Sequence, residues 1–119
     1  MEADQLGRLR DILESARLIA AYVRDVSEAD FQSNTEKQDA VVRRIENIRE
    51  ATAHLSDGTR AAIPKLPFRK IRGMRNIVAH DYGNVDVGIV WEVATKHILE
   101  LCTVLERFFA ERRSEPPDQ

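Results

Sequence analysis

Apolar residues recur every three or four positions along most of this chain, the spacing of amphipathic helices. Leu6, Leu9, Ile12, Leu13, Ala16, Ile19, Ala20 and Val23 form one continuous stripe, which predicts a helix from about Asp4 to Val26. Ser27 to Asn34 is polar and interrupts it. Val41, Val42, Ile45, Ile48, Thr52 and Leu55 make a second stripe, with Asn34 or Thr35 placed to cap the helix and Ser56-Asp57-Gly58 to end it. Pro64 and Pro67 mark a connector from Gly58 to Pro67, with a short helical turn over Thr59 to Ile63. Proline favours helix starts, and Phe68, Ile71, Arg72, Arg75 and Val78 then follow at helical spacing until Tyr82-Gly83-Asn84 closes the segment. Val87, Val90, Trp91, Ala94, Ile98, Leu101, Leu105 and Phe108 define a last long helix, from about Asp86 to Arg112.

Three long amphipathic helices and a shorter fourth predict an all-α, up-and-down bundle of four to five helices. With 119 residues, 43% hydrophobic, the chain holds one core and hence one domain, residues 1–113, followed by a frayed polar tail at 114–119. Phe109, next to Phe108, exceeds what one core face of the last helix needs, and a homodimer is the expected way to bury it.

Charge narrows the picture. Eighteen Lys plus Arg against twenty Asp plus Glu give a formal net charge of −2, which argues against a general nucleic-acid coat. Yet from Gly58 to His80 the charges are Arg60, Lys65, Arg69, Lys70, Arg72 and Arg75, with no carboxylate among them. Any polyanion therefore binds locally. Cys102 is the single cysteine, so no internal disulfide forms; its place in an apolar stripe makes it a small core residue in a reducing cytoplasm. No apolar run approaches the roughly twenty residues that cross a bilayer, and Met1 to Arg10 carries charge where a signal peptide is apolar. The expectation is a soluble, cytoplasmic protein with no membrane partner.

The basic stretch leads into Arg75-Asn76-Ile77-Val78-Ala79-His80-Asp81-Tyr82. An arginine that forks onto phosphate, a histidine, which ordinarily titrates near neutrality, and a phenolic hydroxyl suffice to cleave RNA through its own 2′-hydroxyl. In that reading His80 is the base for the 2′-hydroxyl proton and Arg75 stabilises the charge growing on the phosphate. Tyr82 positions the substrate, assisted by Asn76, Arg72 and Lys70. No metal or cofactor is called for: His54, His80 and His97 are scattered, and neither His-Glu-x-x-His nor Asp-x-Asp occurs. His54 and His97 are read as surface or helix-packing residues. Singly, the motif residues also suit bland roles: a helix-end cap for His80 and Asp81, an ion pair for Arg75, a rim aromatic for Tyr82. On a regular helix residues five apart diverge by about 140°, whereas residues seven apart nearly eclipse, so Arg75 and Tyr82 share a face that His80 leaves. Either the backbone changes near Gly83 and Asn84, or two motifs meet across a two-fold axis.

The octapeptide resembles the Arg-x-x-x-x-His-x-Tyr motif of the HEPN superfamily, and the chain is similar to its HepT-like branch from about Asp11 to Leu105. The landmarks are Ile12-Leu13-Glu14-Ser15, Phe31, Gln38 to Val41, Arg43 to Glu46, Glu50-Ala51, Leu55, Pro64, Pro67-Phe68, Lys70 to Asn76, His80 to Tyr82, Val85-Asp86 and Val90-Trp91. The resemblance implies the HEPN helical bundle, dimerised so that two motifs line one cleft, acting as a metal-independent ribonuclease toxin on tRNA or mRNA. It implies a minimal nucleotidyltransferase antitoxin as partner, and it makes Tyr82 the residue adenylylated to silence the toxin. The alternative is a non-catalytic helical module that docks such a nucleotidyltransferase. Two positions depart from the family's pattern: Phe68 stands in place of tryptophan and Arg49 in place of glycine, the latter bearing on the dimer or antitoxin contact.

Overall fold

A computed structural model describes residues 1–74 and 86–114, Ser114 by its backbone alone. The described residues fold into helices and the turns between them, with no strand among them. They are α1 (Ala3–Val23), α2 (Glu28–Gln32), α3 (Thr35–Ala53), α4 (Asp57–Ala62), α5 (Phe68–Gly73) and a long α6. α6 begins as Val87–Glu92, widens into a π turn over Val93–His97 and continues as Ile98–Ser114.

The core is the meeting of the three predicted stripes: Leu9, Ile12, Ala16 and Ile19 of α1, Val41, Ile45 and Ile48 of α3, and Val90, Ala94, Ile98, Leu101 and Leu105 of α6 are all buried. Hydrogen bonds at both ends set α1 antiparallel to α3. Near the start of α1, Gln5 accepts from the Ser56 amide at 2.8 Å and donates to the His54 carbonyl; at its end the Lys37 ammonium donates to the Tyr22 carbonyl at 2.7 Å. α6 also runs antiparallel to α1, with Arg17 Nε on Glu106 Oε1 at 3.2 Å and the Arg10 guanidinium over Phe109. Three long helices thus pack up and down, and the short α5 lies against α3.

Several local expectations need correction. α1 stops at Val23, and the chain reverses through Asp25, whose φ of 58° lies in the left-handed region that a short polar side chain tolerates better than a β-branched one. The polar segment after it carries α2, capped by Ser27 on the Asp30 amide, which seats a fully buried Phe31 against Trp91 at 5.2 Å between centroids. Asn34 caps α3 as expected, accepting from the Lys37 amide at 2.9 Å. Ser56-Asp57-Gly58 starts a helix instead of ending one: Ser56 accepts from the Thr59 amide and α4 follows.

The π turn explains the largest difference. Val90 and Phe109 are nineteen positions apart, and five regular turns take eighteen. One wide turn absorbs the extra residue, so Phe109 is the aromatic that continues the core face and Phe108 is the half-buried neighbour, edge-on at 5.2 Å. Thr95, within that turn, donates back to the Trp91 carbonyl at 2.8 Å. Phe109 is buried within its own chain, and the surplus that suggested a dimer disappears at this position. Cys102 is a free, buried thiol, pushed above its ordinary range by burial first and by Glu106 second, against an opposing pull from Arg17.

Candidate active site

Pro67 precedes the first residue of α5 and offers no side-chain cap; tertiary contact holds this short helix in place through buried Ile71 and, just past its end, buried Met74. The next residue in sequence is Arg75. The segment 75–85, which contains Arg75, Asn76, His80 and Tyr82, lies outside the described residues, and the chain is described again from Asp86, whose carboxylate caps α6 on the Ile89 amide at 3.2 Å.

The basic stretch that leads to the motif does not form one uniform patch. Arg60 turns inward: Nη2 donates to the Thr52 carbonyl at 2.9 Å and Nε to the Leu55 carbonyl at 3.3 Å, and the guanidinium lies 5.3 Å from the Phe68 centroid. It thereby occupies carbonyls at the end of α3, where helix termini leave acceptors unpaired and the dipole favours a cation. Lys70, a predicted positioning residue, pairs with Glu100 of α6 at 3.0 Å; both side chains are about half exposed, so the pair is weak and exchangeable. Lys65 lines a different hollow, beside Val104 and Phe108. Arg72, also predicted to position substrate, is exposed and shares a groove with Arg49 and Arg60 over Phe68 and Ile71.

In the sequence Arg49 bears on the dimer or antitoxin contact and is not joined to Arg72, because the two are separated along the chain and meet only when α5 packs on α3. Arg49 and Phe68, the two positions expected from the resemblance to depart from the family's pattern, both line this groove. His54 is exposed and His97 half-buried on the π turn. No helix among the described residues is long and apolar enough to cross a membrane.

A chain whose described residues are helices and turns around a buried three-helix core, with an arginine-lined groove that includes Arg72, three residues ahead of an Arg-x-x-x-x-His-x-Tyr segment in sequence, has counterparts among known proteins. The family model described as Ribonuclease HepT-like matches residues 12–109, and the chain belongs to this family. A Methanocaldococcus jannaschii protein named gamma-glutamylcyclotransferase and putative RNase is 42% identical over 85% of this chain, which spans only 46% of that relative. A Thermococcus cleftensis protein named probable ribonuclease HepT is 32% identical over 85% of this chain and 92% of its own length. A second Methanocaldococcus jannaschii protein, a putative RNase, is 31% identical over 76% of this chain and 83% of its own. No solved structure matches the chain.

Proposed function

We propose that this chain is a metal-independent endoribonuclease and the toxin half of a toxin–antitoxin pair. The observation that carries the reading is the coincidence, in a HepT-like chain, of the motif with a groove of arginines that includes no carboxylate among the described residues and abuts the motif in sequence. In the proposed reaction His80 accepts the ribose 2′-hydroxyl proton as O2′ bonds to the adjacent phosphorus and the bond to O5′ breaks. The departing O5′ takes a proton from a second histidine or from water, leaving a 2′,3′-cyclic phosphate and a 5′-hydroxyl. Arg75 holds the non-bridging oxygens as negative charge accumulates on them. Asn76, Tyr82, Arg72 and Lys70 position the backbone, Lys70 by exchanging Glu100 for phosphate.

A homodimer brings two motifs to one cleft and answers the angular separation of Arg75 and His80 on a regular helix. The antitoxin is a minimal nucleotidyltransferase that transfers AMP from ATP to the Tyr82 hydroxyl, releasing pyrophosphate. Labelled tRNA and mRNA incubated with the purified protein in chelator test the reading. Wild type cuts one or both and His80→Ala does not; equal cutting by the two proteins excludes the assigned base, and no cutting by either leaves the non-catalytic nucleotidyltransferase partner as the better description.

A further inference from the structure

The groove between α3 and α5 has a composition that its structural role does not require. Three arginines, Arg49, Arg60 and Arg72, line it together with Phe68, Ile71 and Thr52, around a volume of about 280 Å³. No carboxylate lines it among the described residues, so those residues leave the charge of three permanent cations uncompensated within the groove. Arg60 is committed to the Thr52 and Leu55 carbonyls. Arg49 is not: its Nε is buried and has no hydrogen-bond partner among the described residues. A buried donor without an acceptor is costly to keep, so Arg49 stands at the groove wall with no compensating bond at Nε among the described residues.

The shape argues for phosphate and not for a base. One face of Phe68 is taken by the Arg60 guanidinium, which leaves at most one face of the ring for stacking. The Thr52 hydroxyl is buried and donates its proton to the Ile48 carbonyl at 2.8 Å. The volume sits at the lower bound of small-ligand sites and suits a phosphate with part of its sugar. Arginine forks match phosphate oxygens in geometry as well as charge.

We infer that the Arg49–Arg72 groove holds a backbone phosphate of single-stranded RNA that flanks the one being cut. This rests on the ribonuclease reading and deepens it. Arg72 precedes Arg75 by three residues, which places the two α-carbons at most about 11 Å apart whatever the path between them. The groove is therefore a subsite next to the motif: it fixes the strand and adds affinity, and it reads no sequence, since phosphate contacts position without specifying.

The test measures binding without turnover. Fluorescence anisotropy follows a labelled ten-nucleotide 2′-O-methyl RNA, which lacks the attacking hydroxyl, over a range of salt concentrations with wild type, Arg49→Ala, Arg49→Gln and Arg72→Ala. Each variant is expected to raise Kd on the order of tenfold, as losing one charge-assisted contact does, and to lower the salt slope by about 0.7, the value for one phosphate on a single strand. The loss should be smaller on a 2′-O-methyl dinucleotide. Arg49→Gln keeps the stem as far as Cδ and a polar end, so its failure alongside Arg49→Ala separates lost charge from loss of the packed stem. Unchanged Kd and slope on the decamer in folded variants overturn the subsite, even if the wild-type protein cuts RNA. Arginine-dependent binding by a protein that cuts neither tRNA nor mRNA overturns the ribonuclease reading and leaves the subsite standing.

Discussion

Arg60 is bound to the end of α3 and to α5 at once: its Nη2 donates to the Thr52 carbonyl at 2.9 Å while its guanidinium covers the Phe68 ring at 5.3 Å. A single side chain thereby fixes the helix that opens onto the motif against the helix that carries Arg49. Arg60→Ala loses both contacts and leaves the Thr52 and Leu55 carbonyls without this donor. The expected cost is about 2 kcal/mol, from charge-assisted hydrogen bonds and a cation–π contact together. Lysine at this position keeps the charge but cannot serve both carbonyls with one planar fork, and recovers only part of the loss. Urea denaturation of the two variants checks this; a variant as stable as wild type would show that α5 is held by Ile71 and Met74 alone.

The register of α6 gives a second prediction. Phe109→Ala opens a hole in the core face and is expected to cost about 3 kcal/mol or more, whereas Phe108→Ala, at a half-buried position, costs roughly half as much. Because Phe109 packs within its own chain, the loss should be the same at low and high protein concentration in thermal melts. The reverse order of cost would mean that α6 runs without its wide turn.

Much of this arrangement is legible in the sequence, and what is not has identifiable causes. The stripes of α1 and α3 obey a regular helical period and their buried residues follow directly; Asn34 shows itself as a cap because it precedes the stripe. Phe31 is concealed by its polar neighbours, since a five-residue helix is too short to display a period. The choice between Phe108 and Phe109 turns on one π turn, which periodicity averages over. Arg49 and Arg72 become partners only through the packing of α5 on α3. The motif is legible as chemistry from residue types and spacing alone, while how its groups meet is a tertiary matter that lies outside the described residues.

Control at Tyr82 is the third prediction. Incubation with the partner nucleotidyltransferase, ATP and Mg²⁺ should add one AMP per chain, and intact-mass measurement should find no adduct on Tyr82→Phe. The added phosphodiester carries a full negative charge, which competes for the arginines and repels the RNA backbone, so RNA binding should weaken together with cleavage. An undiminished adduct on Tyr82→Phe would move the modification elsewhere.

The central claim is that the nucleophile belongs to the RNA and the base is His80. The most direct measurement is cleavage, in chelator, of an RNA with a single 2′-deoxy substitution at the mapped cut site, compared with the all-ribose strand. The account predicts that the all-ribose RNA is cut to a cyclic or 3′-phosphate end, that the one substitution abolishes that cut, and that His80→Ala abolishes it on the all-ribose strand. Cutting of the substituted strand at a comparable rate would contradict it.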